Sequence, residues 1–214
     1  MAKSRMPVIF CELLKYQMNF IGYLLEDIKR TYNSAKQSIS DLKIETNELE
    51  EDGNGGYIDY KYYELLELDK LNRIRYGCLS VQISAIAENN LFSLCATAEL
   101  IKIKVSKTNP NETEIKKCDG NIIDERKLNW GAYERLIKEH KKIEFANLTN
   151  FDSVKRFREL SNRFKHSNGR INASFAKNFG GNLGDEIRYE YENWEEMISG
   201  SQNFLTDLAG KILL

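Results

Sequence analysis

Apolar residues recur at helical spacing along most of this chain. Between Pro7 and Pro110, the only prolines, their steps are three and four rather than two, which predicts helices instead of strands. The first helix is expected to begin near Pro7, because proline favours the first turn, and to run into the forties. One apolar stripe is expected to form its inner face: Ile9, Leu13, Tyr16, Phe20, Leu24 and Ile28.

An acidic, glycine-rich segment at residues 50–56 interrupts this pattern. Such a composition is typical of an exposed turn, so we expect a tip between two long antiparallel helices. The returning helix, over about 58–104, is apolar on nearly all sides after Tyr76, which indicates burial in a helical bundle. Glu88 lies within this stretch. Because an unpaired carboxylate is costly to bury, Glu88 is predicted to be a structural buried charge that pairs with a cation.

Polar residues dominate 105–127, where Asn-Pro-Asn and Asp-Gly-Asn sequences predict a loop with room for a short helix. A helix over about 129–142 follows. Its inner face is predicted to comprise Trp130, Tyr133, Leu136 and Ile137. The next helix begins near 150–152, where Asn150 or Asp152 can cap it, and a glycine stop at Ser167-Asn168-Gly169 ends it.

The last third of the chain mixes turn and strand signals before a final helix. Residues 170–175 and 187–193 flank a glycine-rich turn, which predicts a small β-hairpin near 170–191. An amphipathic helix is expected over 194–213. Together these elements predict an all-α fold, a helical bundle with a long N-terminal helical hairpin. A chain of 214 residues fits a single domain, 1–214, in which residues 7–75 form the hairpin extension.

Charge and cysteine usage exclude several classes of function. The chain has 31 Lys and Arg against 32 Asp and Glu, a net charge of −1, so nucleic acid could be bound only by a local patch. The four cysteines show no paired spacing, and two histidines accompany them, which argues against a metal site. No apolar run in the sequence approaches the roughly 18 residues of a membrane span. We expect no signal peptide, and therefore a cytoplasmic protein with reduced thiols, no cofactor and no membrane contact.

The helix before Gly169 carries most of the candidate chemistry. At about 100° per residue, one stripe is expected to face the core: Val154, Phe157, Leu160 and Phe164. The opposite stripe is polar and comprises Lys155, Glu159, Asn162 and His166. Further basic residues flank this polar stripe: Arg158 and Lys165 on one side and Arg163 on the other. His166 is therefore predicted to point away from the core, to water or to a second surface.

The segment ELSNRFKHSNG, residues 159–169, resembles the signature helix of the HEPN superfamily. That motif is an arginine followed four to six residues later by a histidine, often written Arg-Asn-x-x-x-His. Asn162 and His166 occupy the asparagine and histidine places, and Ser161 stands where the motif has arginine. The resemblance extends through QISAIAENNLFSLC, DGNII and the final amphipathic helix. It implies a HEPN-like core over residues 76–214.

This resemblance implies a protein of bacterial defence, toxin–antitoxin or RNA-processing systems. In active members the motif helices of a homodimer face each other and form a metal-independent endoribonuclease site. His166, beside Asn162, would then handle a proton of the attacking 2′-hydroxyl or of the leaving oxygen. A serine hydroxyl cannot replace the guanidinium that stabilises transition-state charge. Arg158 is the predicted substitute, because Arg158, Asn162 and His166 lie at i, i+4 and i+8, and Arg163 is the other candidate.

Three interpretations of function are therefore open, and the third of them is a structural subunit of a larger complex. In the first, the chain is a HEPN-like endoribonuclease, or its degenerate relative, in bacterial or phage defence or toxin systems, and the cations Arg163, Lys165 and Lys155 contact RNA. In the second, it is a non-enzymatic module that has lost the catalytic motif and binds a protein partner through the N-terminal hairpin. A solvated helix face with ion pairs such as Glu159 with Arg163 would explain the same basic residues.

Overall fold

The computed structural model describes residues 6–47, 55–105, 113–124, 127–189 and 192–213. Helices dominate these residues, which confirms the predicted all-α class. The helices are α1 (Met6–Asn47), α2 (Gly55–Thr97), α3 (Trp130–Lys141), α4 (Phe151–Ser167), α5 (Ala173–Phe179) and α6 (Trp194–Leu213). The strands are β1 (Ile101–Val105), β2 (Thr113–Lys117) and β3 (Ile122–Ile123). Across the described ranges, no helix has both the length and the apolar character that crossing a bilayer requires.

The chain divides into two compact units, each assembled from segments that are distant in sequence. The first unit comprises Met1–Asn19, Gln82–Arg158 and Glu195–Leu214. The second comprises Phe20–Val81 and Glu159–Trp194. Helices α1, α2, α4 and α6 each contribute residues to both units. The expected division into a 7–75 extension and a 76–214 core stays a prediction.

Helix α1 begins beside Pro7, as predicted, but its buried face is not the predicted one. Four residues of the predicted stripe are mostly exposed: Ile9 (61%), Leu13 (54%), Tyr16 (74%) and Phe20 (57%). Of that stripe only Ile28 is buried, and Leu24 is half-buried. The buried side chains are instead Leu14, Met18, Ile21, Leu25 and Ile28. Both stripes advance in steps of four and three, so helical spacing alone does not distinguish them.

Helix α2 lies beside the start of α1 in the first unit, where Asn90 Nδ2 donates a hydrogen bond of 3.0 Å to Gln17 Oε1. This contact agrees with the predicted helical hairpin. Its acidic tip at 50–56 falls largely outside the described residues. The sequence predicts that the second half of α2 is buried on nearly all sides, and this prediction is wrong. It exposes a face of small and polar residues: Gln82, Ala85, Asn89 and Ser93.

Strands β1, β2 and β3 form a small antiparallel sheet. The helix predicted to continue to 104 therefore ends earlier, at Thr97, and the loop predicted over 105–127 is wrong where β2 and β3 lie. The strand order is β1-β2-β3, with Ile103 opposite Ile115 and Ile115 opposite Ile123. The sequence of β1, IKIKV, alternates as a strand does, and Ile101 is buried whereas Lys102 is exposed. The helical pattern of α2, which ends just before β1, obscured this period of two.

Aromatic rings form the core of the first unit. Trp130, at the start of α3, stacks on Phe204 of α6 with 5.9 Å between ring centroids. Phe145 meets both rings edge-on, at 5.5 and 5.4 Å. The side chain of Asn129 caps α3 by accepting a hydrogen bond from the Ala132 N–H. The four inner residues predicted for α3 are all buried, which confirms that prediction.

Tyr189 anchors the second unit at the end of α4. Its ring meets Phe164 edge-on at 6.1 Å, and its hydroxyl donates to the Leu160 carbonyl at 3.2 Å. Its own carbonyl accepts a hydrogen bond of 2.7 Å from the indole N–H of Trp194. Trp194 in turn stacks on Tyr76. Burial raises the pKa of the Tyr189 phenol, so the hydroxyl stays protonated and remains a donor.

The region 170–191, where a small β-hairpin was predicted, is mostly not strand. Among its described residues, the pairing is a single antiparallel bridge between Arg170 and Glu186. Helix α5 lies between these two residues. It forms because the Asn172 side chain caps it, accepting a hydrogen bond of 2.9 Å from the Phe175 N–H.

Candidate functional site

Helix α4 carries the candidate site, and its inner stripe is as predicted. Val154 and Phe157 are 1% exposed and Leu160 is fully buried, while Phe164 is half-buried. Ser161 adjoins this stripe and is also fully buried. The remaining sides of the helix carry its polar and basic residues.

A glycine stop ends α4, as predicted. Asn168 and Gly169 both adopt positive φ, at 49° and 74°. The Gly169 N–H donates a hydrogen bond of 2.8 Å to the Arg163 carbonyl. A Cβ at Gly169 would lie 3.1 Å from the Tyr189 ring, so glycine is favoured here both by conformation and by space. This turn fixes the end of α4 that holds His166.

Asn162 and His166 lie one turn apart on the outward side of α4, as predicted. His166 is exposed and Asn162 is half-buried. Within the described part of the chain, neither side chain makes a hydrogen bond or an ion pair. A ligand that binds here could therefore contact the imidazole and the amide without displacing a hydrogen bond that either side chain makes within the described residues.

Ser161 occupies the motif's arginine position, and the structure places it in the interior of the second unit. The residue is 0% exposed. Its hydroxyl has no hydrogen-bond partner among the described residues. No charge is presented from this position, and a longer cationic side chain here would begin inside the core.

Arg158, the predicted substitute, packs within the first unit. Its guanidinium carbon lies 4.8 Å from the centroid of the Trp130 ring, in a cation–π contact. Trp130 is itself 1% exposed. Asn162 and His166 belong to the second unit, so the predicted triad is divided between the two units.

The other predicted cations differ in their exposure to solvent. Arg163 is half-buried and donates from Nη1 to the Ser167 hydroxyl at 3.3 Å. Lys165 is exposed, and Lys155 is half-buried. Helix α4 as a whole carries five Lys and Arg residues against two acidic residues, a net charge of +3 with His166 neutral. This is a local basic segment in a chain whose net charge is −1.

Glu88 is not the buried charge that the sequence predicted. It is half-exposed and forms no ion pair within the described part of the chain. The buried positions of this part of α2 include Ile83, Ala87, Leu91 and Leu94. Glu88 lies about 100° round the helix from Ala87, at the edge of the buried face.

Two features of the structure had no signal in the sequence. Cys118 Sγ lies 3.2 Å from His140 Nε2, although 22 residues separate them. In the second unit, a cavity of about 700 Å³ is lined mainly by charged residues, among them Arg73 and Glu186, which form an ion pair. Both arrangements join residues that only the folded chain brings together.

The four cysteines differ in their exposure to solvent. Cys95 is fully buried, and burial raises the pKa of its thiol to about 12. Cys11 is half-buried, and Cys78 and Cys118 are exposed. In the described ranges, no group of three or more histidine, cysteine or acidic side chains is arranged to hold a metal ion.

Comparison of the chain with protein-family models, with curated proteins and with solved structures found no match.

Proposed function

We propose that this chain is a HEPN-like protein of bacterial or phage defence or toxin systems, and that α4 acts on RNA as part of a metal-independent endoribonuclease. The observation that carries the proposal is the outward pair of Asn162 and His166 at the glycine-stopped end of a basic helix. The proposal retains the expected homodimer, the cytoplasmic location and the lack of a cofactor.

The chemistry assigned to His166 is proton transfer. Its imidazole takes the proton of an RNA 2′-hydroxyl as that oxygen attacks the adjacent phosphorus. The bond from phosphorus to the 5′-oxygen breaks, and the leaving oxygen receives a proton from an imidazolium, that of His166 in a second copy. The products are a 2′,3′-cyclic phosphate and a 5′-hydroxyl. General acid–base catalysis of this kind contributes roughly 10²–10⁴-fold in rate.

Charge stabilisation at the phosphate needs a cation that Ser161 does not supply. Eight residues of α-helix span about 12 Å between Arg158 and His166, and the guanidinium of Arg158 packs on Trp130. A homodimer in which Arg158 of one copy approaches His166 of the other supplies the missing charge. Arg163, Lys165 and Lys155 are assigned to the RNA backbone, where cations set affinity rather than sequence preference.

The test is cleavage of structured RNA by the purified full chain in the presence of EDTA. We expect cleavage by the wild type and a roughly 10²–10⁴-fold lower rate for His166→Ala. The matched control is His140→Ala, because His140 is the other histidine of the chain and is also exposed. Its rate should equal that of the wild type. A wild type that cleaves none of several RNAs, or a His166→Ala variant that cleaves normally, would contradict the proposal.

A second function is favoured by the burial of Ser161 and the packing of Arg158 on Trp130. In this alternative the motif has lost its chemistry, and the chain is a non-enzymatic module whose N-terminal hairpin engages a protein. It predicts that neither the wild type nor any His166 variant cleaves RNA. The assay with EDTA therefore separates the two functions.

A further inference from the structure

Helix α1 carries an apolar stripe that the single chain leaves in solvent. We call it the outer seam, and its members are 54–74% exposed: Ile9, Leu13, Tyr16, Phe20 and Tyr23. They follow one another in steps of four, three, four and three. This is the repeat with which two helices pack along a common seam. Monomeric proteins rarely expose a contiguous apolar surface of this kind without a partner for it.

The outer seam takes no part in the packing that holds α1 in place. The buried stripe of α1, from Leu14 to Ile28, lies on roughly the opposite side of the helix. Replacing a residue of the outer seam should therefore leave the fold intact. A role of the seam in association can be tested separately from a role in folding.

We propose that the outer seam binds the outer seam of a second copy, and that the two α1 helices pair antiparallel about Tyr16. A symmetric dimer uses the same patch on both copies, as this arrangement does. The three aromatic residues of the seam are 57–74% exposed. Because an aromatic side chain has a surface of about 150–250 Å², their combined exposed area is roughly 400 Å². Ile9, Leu13 and the flanking residues extend the surface toward the ~800 Å² per partner of a standard interface.

Side-chain size favours the antiparallel direction. The first half of the seam is aliphatic, with Ile9 and Leu13, and the second half is aromatic, with Phe20 and Tyr23. Antiparallel pairing about Tyr16 sets Ile9 opposite Tyr23 and Leu13 opposite Phe20, so small residues meet large ones. Parallel pairing would set each tyrosine against its own copy, and the smaller side chains of Ile9 and Leu13 would meet only each other and leave space unfilled between the helices.

The flank of the outer seam is compatible with the antiparallel pair. Glu12 is exposed on one flank of the seam. In the antiparallel pair Glu12 lies near Asn19, an exposed amide on the same flank, which can donate a hydrogen bond to the carboxylate.

The first test is the mass of the full chain in solution, measured by sedimentation equilibrium over a wide range of concentration. We expect the wild type at twice the chain mass of 24.8 kDa. Leu13→Glu and Tyr16→Glu should each weaken dimerisation by about tenfold or more, because a charge at the centre of an interface is buried without a partner. The matched control is Asn33→Glu, which adds the same charge at an exposed position of α1 off the seam. It should dimerise as the wild type does.

The second test fixes the direction of pairing by disulfide formation, in a chain whose three cysteines that are not fully buried are replaced by serine. Tyr16→Cys should cross-link to itself. Ile9→Cys alone should not, because antiparallel pairing puts its two copies about 21 Å apart, beyond the ~7 Å that a disulfide allows. Ile9→Cys mixed with Tyr23→Cys should cross-link. Self-cross-linking of Ile9→Cys would overturn the antiparallel pair.

Two results would contradict the proposal that a second copy binds the outer seam. One is a wild type that stays monomeric at every concentration, which would assign the outer seam to a different protein. The other is unchanged dimerisation of both glutamate variants. The inference does not rest on the ribonuclease proposal: His166→Ala should leave the mass unchanged, and a dimer that cleaves no RNA would refute the enzyme and leave the seam interface standing.

Discussion

The buried serine at the motif's arginine position makes a sharp prediction about stability. Ser161 is 0% exposed and its hydroxyl has no partner among the described residues. A desolvated hydroxyl without a hydrogen bond costs about 1–3 kcal/mol, and alanine is also the better helix former by roughly 0.5 kcal/mol. Some of this gain is offset by the small space that the oxygen leaves. We therefore expect Ser161→Ala to raise the free energy of unfolding by about 1–2 kcal/mol.

The second unit offers a matched control in Ser80. This residue is also helical and 0% exposed, but its hydroxyl donates a hydrogen bond of 2.6 Å to the Gly77 carbonyl. Ser80→Ala gains the same helix propensity and loses about 1 kcal/mol of hydrogen bonding. We expect its free energy of unfolding to fall slightly or to stay unchanged. The difference in free energy of unfolding between Ser161→Ala and Ser80→Ala measures the cost of burying a hydroxyl without a hydrogen-bond partner.

The opposite change at the same position, Ser161→Arg, introduces the arginine that the resembling motif has there. Because the side chain starts inside the core, we expect this variant to lose at least about 3 kcal/mol of stability, as a buried unpaired charge does. It should not raise RNA cleavage. Urea unfolding followed by circular dichroism gives all three values. The reasoning is refuted if Ser161→Ala is destabilised by about 1 kcal/mol or more, or if Ser161→Arg unfolds like the wild type.

Two further predictions concern the packing and the charges of the units. A Cβ at Gly77 would overlap the Phe164 ring, so Gly77→Ala should lower the free energy of unfolding in urea by about 1–3 kcal/mol. The control Gly22→Ala, at an open helical position, should instead raise it by about 0.5–1 kcal/mol. Equal effects of the two variants would contradict the contact of Gly77 with Phe164. Burial pushes the pKa of Asp207 upward, but hydrogen bonds from the Thr149 N–H and from Lys211 outweigh it, so this pKa lies below its ordinary value. A lowered pKa contributes stability above the unfolded pKa of about 4 and loses it as the pH falls through the folded value. Thermal unfolding of Asp207→Asn should therefore show a weaker loss of stability in that acid range than the wild type, and parallel curves would exclude the effect.

The sequence predicted those parts of the candidate site that depend on helix α4 alone. The period of α4 places Val154 and Leu160 inside and Asn162 and His166 outside, and the glycine stop follows from local backbone preference. The stack of Arg158 on Trp130 was not predictable, because it joins α3 to α4. For the same reason, no pattern along the chain signals the contact of Cys118 with His140.

Helix boundaries and helix periodicity are local properties, and the amino-acid order along α1, α3, α4 and α6 was enough to predict them. Which of two apolar stripes becomes core is not local. Helix α1 has two stripes with the same steps of four and three, and the stripe from Leu14 to Ile28 is buried while the one from Ile9 to Tyr23 stays exposed. Burial depends on which face the rest of the fold covers, and a helix's own sequence does not contain that information. The strand period of β1 was lost in the same way, because short alternating segments acquire meaning only when β2 pairs beside them.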